Sequence, residues 1–132
     1  MKRVIVIAGA TLTFAGVADV GWSYGGCWGS FGSGDGQFNE PKGIAVAPDY
    51  AVYVADSRNH RVQYFTPMGS FLGKWGSYGT GPGEFSYPVG IAVAPNGYVY
   101  VTEEGNYRVQ YFRWSEPAVS PTSLGRVKAL FR

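Results

Sequence analysis

The chain holds one cysteine, one histidine and two methionines among 132 residues, and the first two scarcities each close off a class of chemistry. A single thiol, Cys27, allows no intrachain disulfide, so stability must come from packing. A single imidazole, His60, makes a three-histidine metal centre within one chain impossible. No motif around either residue marks a Ser-His-Asp or Cys-His-Asn arrangement, and no cofactor or metal site is expected. Uninterrupted apolar runs are also rare: beyond the N-terminus, 20 glycines and 8 prolines break every hydrophobic stretch, which nearly excludes helix. Charge is sparse and balanced. With Lys2 and Arg3 set aside, nine basic side chains face nine acidic ones, without the electrostatic footprint of a nucleic-acid binder. Glu103 and Glu104 are the one adjacent pair of acids, and neighbours on a strand point to opposite faces, so no catalytic carboxylate pair is read there.

What the sequence does have is repetition. Residues 41–65, PKGIAVAPDYAVYVADSRNHRVQYF, return as residues 88–112, PVGIAVAPNGYVYVTEEGNYRVQYF, with 16 of 25 positions identical and a constant offset of 47. The register extends upstream, where Trp28-Gly29-Ser30 matches Trp75-Gly76-Ser77 and Gly36-Gln37-Phe38 matches Gly83-Glu84-Phe85. A period of this length marks a solenoid or a propeller. Within the first unit, residues 43–47 form a short apolar run closed by Pro48-Asp49, which suits an inner strand buried on both faces. Residues 51–55 are β-branched and aromatic, residues 61–65 alternate polar and apolar, and residues 71–75 make a weaker fourth strand containing Gly73. Four short antiparallel strands per period is the content of one propeller blade.

At these residues the chain resembles the NHL-repeat family, whose blades read P-x-G-I-A-V, then a Val-Tyr-Val-x-D strand, then D-S-x-N-x-R-[VI]-Q-x-F. The first copy carries Asp56-Ser57-Arg58-Asn59-His60-Arg61-Val62-Gln63-Tyr64-Phe65. The second departs from the pattern at Glu103-Glu104-Gly105, which puts its Asp-dependent turn in question. The resemblance implies an all-β fold of antiparallel NHL-type propeller blades, two here with about eight strands, in a family whose rings are often six-bladed. Some relatives resemble RNA-binding platforms, against which the charge balance and the expected export both argue. Others resemble amidating lyases that hold zinc through several histidines, a pattern this chain lacks.

The expected domain organisation is a signal peptide at 1–18, two blades over 19–112 with repeats at about 28–74 and 75–112, and a tail at 113–132. Met1-Lys2-Arg3 and the apolar stretch 4–18, ending Gly16-Val17-Ala18, look like a secretory signal cleaved before Asp19. Fifteen residues containing Gly9, Thr11, Thr13 and Gly16 are short and mild for a bilayer span, so a secreted or periplasmic location is expected over a membrane anchor. The tail is a Pro/Ser linker followed by basic and apolar residues 124–132, similar to short tails on some exported bacterial proteins or simply a frayed end.

Residues 22–28 occupy the place that 70–75 hold one period later and read as an outer strand. The second blade then lacks its own outer strand, which a neighbour's N-terminal strand could supply; three such chains would close a six-bladed homotrimeric ring. The alternative is a fragment of a longer propeller. The glycine-rich stretches 32–38 and 79–85 have neither the strand-to-helix step nor the Lys-Ser/Thr of a phosphate cradle, and read as blade-linking turns anchored by Phe38 and Phe85. Gly43, Asp56, Asn59, Arg61, Gly90, Asn106 and Arg108 recur in register, which favours a structural role, with Asn and Asp bonding turn backbone and Arg clamping adjacent blades. Trp28 and Trp75 also recur and are expected to pack, as is His60 at the position of Tyr107. Trp22, Tyr78, Tyr87 and Arg58 remain as ligand-contact candidates. Two functions follow from this reading: an exported binding or scaffold module for a protein, peptide or glycan, or part of a propeller enzyme such as a lyase or hydrolase.

Overall fold

The computed structural model describes residues 20–115; the expected signal peptide and nearly all of the tail lie outside the described residues. Seven strands form two antiparallel sheets. The first sheet runs in chain order through β1 (Pro41–Val46), β2 (Val52–Asp56), β3 (Arg61–Phe65) and β4 (Phe71–Trp75). The second runs through β5 (Pro88–Val93), β6 (Val99–Glu103) and β7 (Arg108–Phe112). The repeat therefore maps onto two propeller-like blades, and among the described residues helix is limited to a single 3-10 turn at Ser57–Asn59.

Local chemistry sets the strand ends. Between β1 and β2, Tyr50 N–H donates to Ala47 O (2.8 Å), Ala47 N–H to Ala51 O (2.9 Å), and the Asp49 carboxylate accepts from Ala51 N–H (3.1 Å). This turn places Tyr50 at φ 70°, where the second blade has Gly97 at φ 86°. Both inner hairpins share one irregularity, a register shift between Pro41 and Ile44 and again between Pro88 and Ile91. The predicted blade-linking turns are present, each closed by a parallel bridge, Phe31 to Phe38 and Tyr78 to Phe85. Gly36 and Gly83 stand in them at φ 79° and 77°.

Among the described residues, two buried clusters form the core: Val52, Val54 and Phe65 with Phe38 on the first blade and its linker, and a larger one between the blades. Val62 of β3, Phe85 of the linker and Val99 and Val101 of β6 are buried together, with Tyr53, Trp75, Ile91, Val93 and Phe112 packed around them. Trp75 closes on Phe112 at 5.3 Å between ring centroids, as Trp28 closes on Phe65 at 5.7 Å, so both tryptophans pack as expected. Gly43 brings the two inner strands into contact, because a Cβ there would stand 2.4 Å from Val89 O. Gly90 makes a different close approach: its N–H donates to Thr102 Oγ1 at 2.8 Å, and a Cβ would collide with that hydroxyl.

Two expectations need correction. Residues 22–28 are not a strand; they run as exposed coil, because no sheet stands beside them to pair with, and the described strands number seven rather than eight. Nor is the first inner strand buried on both faces. Ile44 and Val46 are 64% and 59% exposed, whereas Ile91 and Val93, one period later, pack against the core. The difference is one of neighbours: β5 has the first blade against it, and β1 has no preceding blade among the described residues.

Candidate binding rim and the buried network beneath it

Asp56 ends β2 with no exposed surface and gathers four donors. Its carboxylate accepts from Arg61 Nε (2.7 Å), Asn59 Nδ2 (2.9 Å), Gln63 Nε2 (3.2 Å) and Asn39 N–H (2.8 Å). Arg61 then spends its remaining donors on the carbonyls of Ser33, Gly34 and Gln37. The arginine thus clamps the linker leading into its own blade, where the sequence reading had it clamp neighbouring blades. Burying these charges is tolerable because the carboxylate accepts four hydrogen bonds and the guanidinium donates four, one of them directly between the two ions.

The second blade rebuilds this network with a carboxylate one methylene longer. Glu103 accepts from Arg108 Nε (2.6 Å), Asn106 Nδ2 (2.7 Å), Gln110 Nε2 (2.8 Å) and Ser86 N–H (3.1 Å). Arg108 reaches the carbonyls of Thr80, Gly81 and Glu84. Burial works against the charge on Glu103, but the bonds from Arg108, Asn106, Gln110 and Ser86 outweigh it and hold the carboxyl below the ordinary glutamate value. The departure at Glu103 therefore leaves the turn intact. Asp56, Asn59, Arg61, Asn106 and Arg108 are all engaged in these networks.

Above the network lies the rim formed by the linkers and the β2–β3 and β6–β7 turns. Here the structure brings together two residues singled out in the sequence. Tyr78 and Tyr87, at the two ends of one linker, flank His60 with ring centroids 4.8 and 4.7 Å away, both edge to face. His60 Nδ1 accepts the Tyr87 backbone N–H at 3.2 Å, and partial burial lowers the imidazole pKa, so the ring is neutral at pH 7. His60 is thus more than a passive blade position; the clue in the sequence was that it aligns with an aromatic residue, Tyr107, at a turn. Arg58, also at that turn, pairs with Glu40 at 3.0 Å with both side chains half exposed. Trp22 stands apart, fully exposed on the coil.

A second concavity, which the sequence did not disclose, lies toward the opposite rim. It encloses about 380 Å³ and is lined by Tyr53, Tyr64, Trp75, Val99, Phe112 and Trp114 among others. Tyr53 and Tyr64 stack at 5.2 Å, and Trp75 keeps its indole Nε1 buried without a hydrogen-bond partner. Its residues come from both blades, so periodicity within one repeat could not reveal it. Among the described residues, no group of three His, Cys, Asp or Glu side chains could hold a metal ion. No helix there is long and apolar enough to cross a membrane.

Two blades, each locked by a carboxylate, an asparagine, an arginine and a glutamine at fixed spacing, are matched by the NHL repeat family model at residues 38–65 and 85–112. These are NHL repeats. The repeats are also similar to parts of larger animal proteins. Protein brain tumor of Drosophila melanogaster is 48% identical over 44 residues, 33% of this chain and 4% of that protein. The B-box type zinc finger protein ncl-1 of Caenorhabditis elegans is 48% identical over 44 residues, again 33% of this chain and 5% of its own length. The E3 ubiquitin-protein ligase TRIM71 of Mus musculus is 52% identical over 69 residues, 52% of this chain and 7% of the ligase. The chain spans less than a tenth of each of these relatives.

Proposed function

We propose that this NHL-repeat chain is a binding module that docks a protein or peptide segment on its linker-side rim. The observation carrying this reading is the Tyr78–His60–Tyr87 cluster, where two partly exposed tyrosines are held in fixed orientation by a neutral histidine and by the linker beneath them. Preordered aromatic side chains with polar edges lose little entropy on binding, and such residues dominate the energetics of protein interfaces. Arg58 and Glu40 add a charged edge of both signs. The buried networks below hold the linker carbonyls, so the rim is rigid before a ligand arrives.

The test is binding of the full chain to peptide and glycan arrays beside a hydrolase panel. Selection of peptides, weakened about tenfold by Tyr78→Ala or Tyr87→Ala with the fold retained, supports the reading. Selection of glycans alone, or turnover in the panel, overturns it. Export also belongs to this proposal and rests on the basic and apolar character of residues 1–18. N-terminal sequencing of protein recovered outside the cytosol should begin at Asp19; an intact Met1 would refute cleavage.

A further inference from the structure

Among the described residues, two sheet faces and the β7 edge stand open, and the repeat supplies a template for what covers them. Val62 on the rear of the first blade is 0% exposed because the second blade packs on it; its counterpart Val109 on the rear of the second blade is 59% exposed. On the front of the first blade, Ile44 and Val46 are open where Ile91 and Val93 are covered. The second blade's rear therefore matches the first blade's front, position for position, as the first blade's rear matches the second blade's front. Among the described residues, the outer edge of β7 has no strand beside it, whereas β3 has β4.

We infer that residues 24–28 of one chain form the outer strand of the second blade of another copy, alongside its β7, while the two open faces close on each other. The register follows from the β3–β4 ladder, in which Val62 faces Trp75, Gln63 faces Lys74, Tyr64 faces Gly73 and Phe65 faces Phe71. One period over, Val109 faces Trp28, Gln110 faces Cys27, Tyr111 faces Gly26 and Phe112 faces Tyr24. The glycine carries the assignment. A Cβ on Gly73 would stand 2.5 Å from Tyr64 Oη, so that position must be glycine for the tyrosine to lie across the sheet. Gly26 meets nothing within 4 Å in the single chain, yet sits where an incoming strand would pass under Tyr111, which is 65% exposed.

Trp28 supports the same arrangement from its other end. It already lies against Phe65 in its own first blade, as Trp75, the last residue of β4, lies against Phe112 of the blade that follows. A tryptophan so placed is the end of an outer strand whose sheet precedes the first blade. In a head-to-tail assembly that sheet is the second blade of the next copy. The chain's own candidate for the β7 edge is weaker. Residues 118–122, which align with β4, read Ala-Val-Ser-Pro-Thr, with neither the glycine nor the tryptophan and with a proline that removes a ladder donor. With the two blades described for each copy and the six-bladed ring that the NHL resemblance implies, three copies close by rotation so that no β7 edge is left free.

Sedimentation velocity on the full chain tests this. The wild type should sediment as three chains; Gly26→Val should sediment as one chain with its sheet circular dichroism intact, and Gly26→Val with Tyr111→Ala should regain the trimer. Val109→Arg acts on the opposite partner surface, at a side chain exposed in the single chain, and should also give folded monomer. If Gly26→Val loses its sheet signal, Val109→Arg decides. A monomeric wild type, or a trimer indifferent to Val109→Arg, overturns the assignment.

Discussion

The carboxylates at 56 and 103 show how much one side chain can hold when it is fully partnered. Asp56→Ala would leave the Arg61 guanidinium buried beside no anion and free the donors of Asn59, Gln63 and Asn39. Breaking one side of a buried pair costs about 3–5 kcal/mol, comparable with the whole stability of a small domain. Urea denaturation of Asp56→Ala should show a loss of that order or no folded baseline at all, whereas removing Glu40 from its exposed pair with Arg58 should cost less than ~1 kcal/mol. His60 gives a pH dependence of known sign. Its pKa is lowered in the fold, so the folded state binds fewer protons, and its contribution is complete above the unfolded value of about 6.5 and lost as pH falls through the folded value. Thermal melts should fall from pH 7 toward pH 5 in the wild type and flatten over that window in His60→Gln. Alignment with Tyr107 marks His60 as a turn position that takes a ring, but its two tyrosine partners were not legible, because they sit 18 and 27 positions away and meet it only through the linker fold.

The strands β1 to β3 and the linker turns were legible because each is written twice, again in β5 to β7 and the second linker. Alternation in residues 61–65 and the β-branched run before it specify β3 and β2 whatever surrounds them, and Gly36 and Gly83 mark the linker positions where φ is positive in both copies. Exposure was not legible, since it depends on which neighbour lies beyond the repeat: the same apolar pattern gives a covered Ile91 and an open Ile44. The outer strand expected at 22–28 fails for that reason also, because a strand needs a partner and the sequence names the strand only. At this scale the two turn types give opposite predictions. Gly36→Val and Gly83→Val place a β-branched residue at φ near 80°, and each should destabilise by at least about 1–2 kcal/mol in urea titrations without altering the linker's sequence chemistry. Tyr50→Gly relieves an exposed tyrosine from φ 70°, a position that is already Gly97 in the other blade. The strain released is ~1–2 kcal/mol and the added chain entropy ~0.5–1 kcal/mol, so a small net gain in melting temperature is expected.

At the scale of the molecule, the sequence period and the packed unit are out of phase. Trp75 completes the first blade's sheet, yet its ring and that of Val62's neighbour Tyr53 belong to the core shared with Val99, Val101 and Phe112 of the second. Val62 and Phe85 are likewise buried against one another across the repeat boundary at residue 75. A chain divided after Trp75 would separate the two repeats cleanly on paper while leaving Val62 and Val101, each without any exposed surface in the intact molecule, facing water on different fragments. The first fragment would keep only the cluster of Val52, Val54 and Phe65 with Phe38, and the core shared across the boundary would be lost to both, so the two repeats should unfold in one calorimetric transition, with enthalpy from the peak area equal to that from its sharpness. Duplicating such a unit is therefore of use to a protein only when at least two copies arrive together, because the rear of one blade, at Val62, is buried only by the front of the next.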